Sequence, residues 1–161
     1  MNPLSRAFAA FASAIGFYGG DSIHLAALKP GESTAQEVLE RFGRPFAEWP
    51  NSDDSTTWEY PRGPEGTRCW MLTLDGRGVL QKVEQALTEE NFARIEKGWS
   101  AKQVRRLLGK PAGEAEFPLK PEVVWEWRID PVSSGNRAFF HVHFSMNGYV
   151  TATSRREESL A

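Results

Sequence analysis

Only one cysteine, Cys69, occurs in the 161 residues. That excludes an internal disulfide and a zinc site built from several cysteines. Cys69 sits in the apolar run Cys69-Trp70-Met71-Leu72, where a small buried hydrophobe is expected. No apolar run approaches the roughly 20 residues that a bilayer-spanning helix needs. An excess of positive charge is also missing. The net charge is −2, so no global basic field exists to hold nucleic acid, and pairs such as Arg105-Arg106 and Arg155-Arg156 read as solvated faces. Gly-x-Ser-x-Gly, a phosphate-cradling Gly-rich loop and His-Glu-x-x-His do not occur. The motif-bearing routes to acyl-transfer, phosphoryl-transfer and zinc-protease chemistry are therefore absent.

Large apolar side chains are abundant. Aromatics make up 12% of the chain, with six Trp and ten Phe, and each fully buried large side chain contributes roughly 1.5–3 kcal/mol. Near the N-terminus, Arg6 precedes the small and apolar stretch Ala7 to Phe17, with small residues at Ala12-Ser13-Ala14 and Gly19-Gly20. This resembles a short secretory leader, and residues 1–20 are set apart as signal-like or flexible.

The most informative feature is an internal repeat. Thr34-Ala35-Gln36-Glu37-Val38-Leu39-Glu40-Arg41-Phe42-Gly43-Arg44-Pro45 is answered 66 positions later by Ser100-Ala101-Lys102-Gln103-Val104-Arg105-Arg106-Leu107-Leu108-Gly109-Lys110-Pro111. Trp58-Glu59-Tyr60 is answered by Trp125-Glu126-Trp127, and the Asp75-Gly76 to Val79 stretch by Asn147-Gly148-Tyr149-Val150. Upstream, Leu28-Lys29-Pro30-Gly31 matches Ile95-Glu96-Lys97-Gly98. Each match has a physical reason. Thr34 and Ser100 are hydroxyl N-caps, and Glu37 and Gln103 complete capping boxes. Ala35, Val38, Leu39 and Phe42 form a buried helical stripe, as do Ala101, Val104, Leu107 and Leu108. Gly43 and Gly109 supply a left-handed helix end, and the Pro two residues on prevents continuation. Thereafter the period becomes two, as in Trp58-Glu59-Tyr60, and Asp75-Gly76 and Asn147-Gly148 close hairpins.

These observations predict an α+β fold of two tandem units, each two helices followed by three antiparallel strands, with room for a short extra strand after the Pro. The first unit spans residues 21–87 and the second 88–154, leaving 155–161 as a C-terminal tail. The final strands are expected at Val79 to Leu87 and Tyr149 to Ser154. Residues from Trp49 to Thr56 and from Pro61 to Thr67 read as loops.

The hydroxyl-capped helix ending Gly-x-Pro, the following Trp-x-Tyr or Trp-x-Trp and the strand closing on Asp/Asn-Gly together resemble the SmpA/OmlA family, which includes BamE of the outer-membrane β-barrel assembly machinery. Leu28 to Val83 and Ile95 to Thr151 each match one copy. The tandem arrangement is also similar to the β-lactamase inhibitory protein fold. The resemblance implies a non-enzymatic protein of the periplasm or the periplasmic face of the outer membrane, without cofactor. Its implied partners are proteins such as the outer-membrane assembly machinery, and also phospholipid. The family's lipid anchor requires a cysteine directly after the leader. Residues 12–25 contain none, so the resemblance does not extend to that anchor.

Candidate contact residues are Phe46, Trp49, Trp99, Arg105 and Arg106. Trp49 and Trp99 do not match each other between the repeats and flank turns, and an exposed Trp beside Arg is the usual makeup of a binding hot spot. Trp58, Tyr60, Trp125 and Trp127 repeat in register and are expected in the core, with Glu59 and Glu126 on the outward strand faces. A second reading is a secreted or periplasmic inhibitor using aromatics on a concave sheet. A third is a small enzyme or metal site using His141 and His143, which share a strand face, with Asp130 or His24 approaching in space.

Overall fold

The computed structural model describes residues 20–116 and 119–160. The leader-like segment expected at residues 1–20 lies, apart from Gly20, outside the described residues. The described residues divide into two compact units, one holding residues 20–60 together with 71–84, the other 61–70 together with 85–116 and 119–160.

In the first unit, α1 (Asp21–Ala27) and α2 (Ala35–Phe42) precede β1 (Ala47–Pro50), β2 (Thr56–Pro61), β3 (Cys69–Leu74) and β4 (Leu80–Gln85). In the second, α3 (Glu89–Arg94) and α4 (Ala101–Leu108) precede β5 (Gly113–Glu116), β6 (Glu122–Ile129), β7 (Arg137–Ser145) and β8 (Val150–Glu158). The strands form two antiparallel four-stranded sheets in the orders β1-β2-β3-β4 and β5-β6-β7-β8. The expected count of three strands per unit is therefore corrected to four. The extra strands, β1 and β5, are short edge strands that follow each Gly-x-Pro, and β1 occupies part of the stretch read as a loop from Trp49. The expected tail at 155–161 is also corrected, because β8 continues to Glu158. It does so because β7 is nine residues long and pairs along its length, from Arg137 opposite Glu158 to Phe144 opposite Val150.

Helix starts follow the sequence. Thr34 accepts from the Glu37 amide at 3.3 Å. Ser100 accepts from the Gln103 amide at 3.2 Å, and Gln103 Oε1 accepts from the Ser100 amide at 2.8 Å, completing a capping box. The box expected at Thr34 is only half formed, because the Glu37 carboxylate lies instead 3.5 Å from Arg41. Gly43 and Gly109 end their helices at φ 75°, ψ −163° and φ 81°, ψ −167°. The positive φ was expected. The ψ was not, for this is the extended region open essentially to glycine alone, not the left-handed helical one.

The duplication extends to individual hydrogen bonds. Gly31 N–H donates to Leu80 O (2.7 Å) as Gly98 N–H does to Val150 O (2.8 Å), and Leu80 N–H donates to Ser33 O (2.8 Å) as Val150 N–H does to Trp99 O (2.8 Å). Thr34 bridges Val79, and Ser100 bridges Tyr149. The amides of Phe46 and Ala112 each donate to the carbonyl of the repeated glutamate, Glu59 or Glu126, at 2.8 Å. The Tyr60 hydroxyl donates to Gly43 O at 2.9 Å, and the Trp127 indole donates to Gly109 O at 3.3 Å. A buried Tyr or Trp needs a partner for its polar end, and each unit supplies the carbonyl at its glycine-ended helix.

The second core gathers Phe92, Val104, Leu108, Trp127, Phe140, Val142 and Phe144, with Phe92 stacked on Phe140 at 4.1 Å between centroids. In the first unit Val38, Leu72 and Leu80 are fully buried, and Phe42 meets Tyr60 at 5.3 Å. Of the four repeated aromatics expected in the core, Tyr60 and Trp127 are buried, whereas Trp58 and Trp125 are half-buried.

Candidate protein-contact face

Strand β7 alternates strictly. Ala138, Phe140, Val142 and Phe144 are buried against the core, while Phe139, His141 and His143 lie half-buried on the opposite face. The register sets Phe139 between Arg128 on β6 and Arg156 on β8, and His141 between Glu126 and Ser154. Both guanidinium groups approach the Phe139 ring, at 5.4 Å for Arg128 and 4.6 Å for Arg156. Such cation–π contacts are worth about 0.5–1 kcal/mol at exposed sites and more once desolvated. Phe139 also stacks on His141 at 6.5 Å and an interplanar angle of 12°.

Hydrogen bonds fix the rest of the face. An ionised carboxylate can only accept, and Glu126 Oε1 accepts from His141 Nε2 at 2.7 Å and from Arg156 at 3.0 Å. Arg156 also bonds Glu158. His143 Nδ1 lies 3.4 Å from Glu122, and its Nε2 lies 2.7 Å from the Ser154 hydroxyl. Val124, only 1% exposed, stands between Ala115 and His143 in the register. The face is thus an ordered array of aromatic, basic and acidic side chains in near charge balance. Side chains already held in place lose less entropy when a partner covers them.

The corresponding face of the first sheet is different. All six residues of β3 are buried, and Glu59, at 0% exposure, is fully buried. The expectation of Glu59 on an outward, solvated face is therefore corrected. The Trp49 indole donates to Glu59 Oε1 at 3.0 Å, while Thr57 and Thr73 hydroxyls meet at 3.0 Å. Asn51 bonds both Ser55 and Thr57 at 3.0 Å. Glu126, its repeat counterpart, stays partly exposed and carries His141 and Arg156.

The five candidate contact residues fall into two groups. Phe46 and Trp49 flank or lie on β1 in the first unit, and Trp99, Arg105 and Arg106 lie at α4 in the second. Only Phe46 is exposed, at 52%. Trp49 is half-buried through its bond to Glu59, and Trp99 is half-buried because it packs on the second core. The expectation that both tryptophans are exposed is corrected. Arg105 and Arg106 are half-buried on α4. Asp130 pairs with Arg68 at 2.9 Å, and His24 lies against Phe42 at 5.9 Å. Among the described residues no group of three His, Cys, Asp or Glu is placed to hold a metal ion. Phe139, Arg128, Arg156, Glu122 and Ser154, which share the β6–β8 face, are not among the residues the sequence singled out. The signal for Phe139 was present: stepping back by two from His143 and His141 reaches it.

The Arg155 guanidinium holds Glu89 below the ordinary carboxylate range. Glu157 is lowered by the Asn136 amide and by the backbone N–H groups of Ser133 and Val132.

No family model and no curated protein sequence matches the chain. Among solved structures it is similar to a protein described as the osmotically inducible lipoprotein OsmE (26% identity, TM-score 0.35, 42% of this chain and 76% of that one). It is also similar to a protein described as a β-lactamase inhibitor from Streptococcus mutans (18% identity, TM-score 0.34, 77% and 82%). A third is the DUF4309 family protein YjgB from Bacillus subtilis (12% identity, TM-score 0.36, 97% and 95%). At these TM-scores the likenesses carry no argument of their own. The description of the fold rests on the topology and the repeated hydrogen bonds above.

Proposed function

We propose that the chain is a non-catalytic protein-binding module of the bacterial envelope. In this reading it acts as a scaffold in outer-membrane protein assembly or envelope integrity, as the repeat's resemblance to BamE implies. One observation carries the contact role: Phe139 bracketed by Arg128 and Arg156, beside two histidines each bonded to a carboxylate. A sheet face with a central aromatic, flanking arginines and internally paired charge has the makeup of a hot spot within a polar rim. The duplicated hydrogen-bond scheme supports the scaffold part, because it builds a rigid support under that face.

The test is affinity purification from envelope extract with wild type and with Phe139→Ala/Arg156→Ala, read by quantitative mass spectrometry. Wild type recovers a protein partner that the variant loses by at least about tenfold, the loss expected for a hot-spot pair. Equal recovery by both removes the face from the account. A second reading, an inhibitor of a secreted or periplasmic hydrolase, is favoured by the position of Phe139 and both histidines on one sheet face. It stands if the recovered partner is a hydrolase whose turnover the chain suppresses.

A further inference from the structure

Two histidines share the outer side of β7, yet their hydrogen bonds set them to opposite tasks. His141 Nε2 lies 2.7 Å from Glu126. An ionised carboxylate only accepts, so that nitrogen carries the proton. At His143 the nitrogens are used the other way round. Its Nδ1 faces Glu122 at 3.4 Å and is the donor, which leaves Nε2 bare in the neutral ring. That Nε2 lies 2.7 Å from the Ser154 hydroxyl, which therefore donates to it. A carboxylate, an imidazole and a hydroxyl in this order are the arrangement that activates a serine as a nucleophile. Such relays commonly carry one long bond until a substrate tightens them.

The repeat does not require these residues. Val79 and Leu80 are bonded as Tyr149 and Val150 are, so His143 falls on Thr73, which meets Thr57 at 3.0 Å in the first unit. Trp125 matches Trp58, so Glu122 falls on Ser55. Placement suits the chemistry. Ser154 is exposed, while the side chains of His143 and Glu122 are only 20% and 18% exposed. A reagent can reach the hydroxyl, and the groups behind it are held in place. Strand β8 lies at the sheet edge, and among the described residues Thr151 to Glu158 make no backbone bond except to β7. Alternate N–H groups near Ser154 are therefore open donors for an oxyanion.

We propose that Ser154 is a nucleophilic site for acylation, with His143 as its general base, Glu122 positioning the imidazole, and an activated ester or thioester as the acyl donor. Ser154 Oγ bonds to the acyl carbonyl carbon while its proton passes to His143 Nε2. The tetrahedral adduct collapses, the bond from that carbon to the leaving oxygen or sulfur breaks, and the leaving atom takes the proton from His143. The products are O-acyl Ser154 and a free alcohol or thiol, with nothing oxidised or reduced. An exposed serine is not shielded from water, so the donor needs a good leaving group. Acylation marks the protein once and requires no turnover, so it is independent of whether the face binds a partner.

A biotinylated alkyl fluorophosphonate, incubated with the full chain, tests this. It reacts with activated serines by the same route, the serine oxygen bonding to phosphorus as fluoride leaves. Wild type takes up a single label, mapped to Ser154 by peptide mass spectrometry, and releases p-nitrophenolate from p-nitrophenyl acetate. Ser154→Ala takes up none and releases p-nitrophenolate at least about tenfold more slowly. His143→Gln slows labelling by at least about a hundredfold, the smaller share of a general base. Glu122→Gln slows it less and takes the proton off His143 Nδ1, read in a long-range proton–nitrogen correlation spectrum. Ser134→Ala, at an exposed serine between β6 and β7, changes nothing. Circular dichroism checks the fold of each variant. Failure of wild type to label, a label mapped to another serine, or His143→Gln reacting at the wild-type rate overturns the proposal.

Discussion

A buried polar side chain needs a hydrogen-bond partner, and fully buried Glu59 finds one in Trp49. Its bond from the Trp49 indole explains why Trp49 is half-buried on an edge strand. Trp49→Phe keeps the ring's bulk and removes the N–H, so it leaves a buried acceptor short of one donor. The expected cost is about 1–3 kcal/mol, measured as a lower urea midpoint with unchanged slope. At the surface, Glu89 titrates below an ordinary 4.5 because Arg155 bonds it. A depressed carboxylate stabilises the fold fully above its unfolded value, and that contribution is lost as pH falls from about 4.5 through the lower folded value. Glu89→Gln should lower the melting temperature slightly at neutral pH, the loss being small because the pair is exposed, and converge on wild type in acid, which flattens this part of the acid limb in a pH series of thermal melts. Side-chain fates of this kind were poorly legible. Period two placed Glu59 opposite Trp58 and Tyr60, but no local pattern says that the face opposite the aromatics is itself covered.

Helices were the most legible elements, because cap, apolar stripe and terminating glycine are all local. The glycines carry more than the chain reversal. Gly43 and Gly109 turn their carbonyls toward Tyr60 and Trp127, and they do so from a backbone region that a Cβ makes costly. Gly43→Ala and Gly109→Ala should each destabilise by about 1–3 kcal/mol, read by chemical denaturation. At Gly43 no atom lies within 4 Å of an added Cβ, so that loss would be conformational and not steric. The edge strands β1 and β5 were less legible. Each has four residues, too few for alternation to register, and β1 ends on Pro50, a residue that reads as a strand breaker. Strand β8 was cut short because the charged run Arg155-Arg156-Glu157-Glu158 reads as a solvated tail. In the fold those side chains pair with Glu89, Glu126 and the loop at Ser133, and the backbone continues along β7.

At the scale of the whole chain, the duplication was visible in sequence because caps, glycines and paired aromatics must recur wherever the same unit is built. What the repeat could not show is where the copies diverge. The face opposite the core holds a sealed Glu59 in one unit and a half-buried, charge-paired array around Phe139 in the other. Common positions maintain the unit, and under the proposed function the divergent ones are where a partner is recognised. Hydrogen exchange by mass spectrometry, comparing the free chain with its complex with the purified partner, tests that claim most directly. The account predicts slowed exchange in peptides covering 122–128, 137–145 and 152–158, with α1, α2 and β1 unchanged. Protection confined to the first unit, with the β6–β8 peptides exchanging as in the free chain, would contradict it.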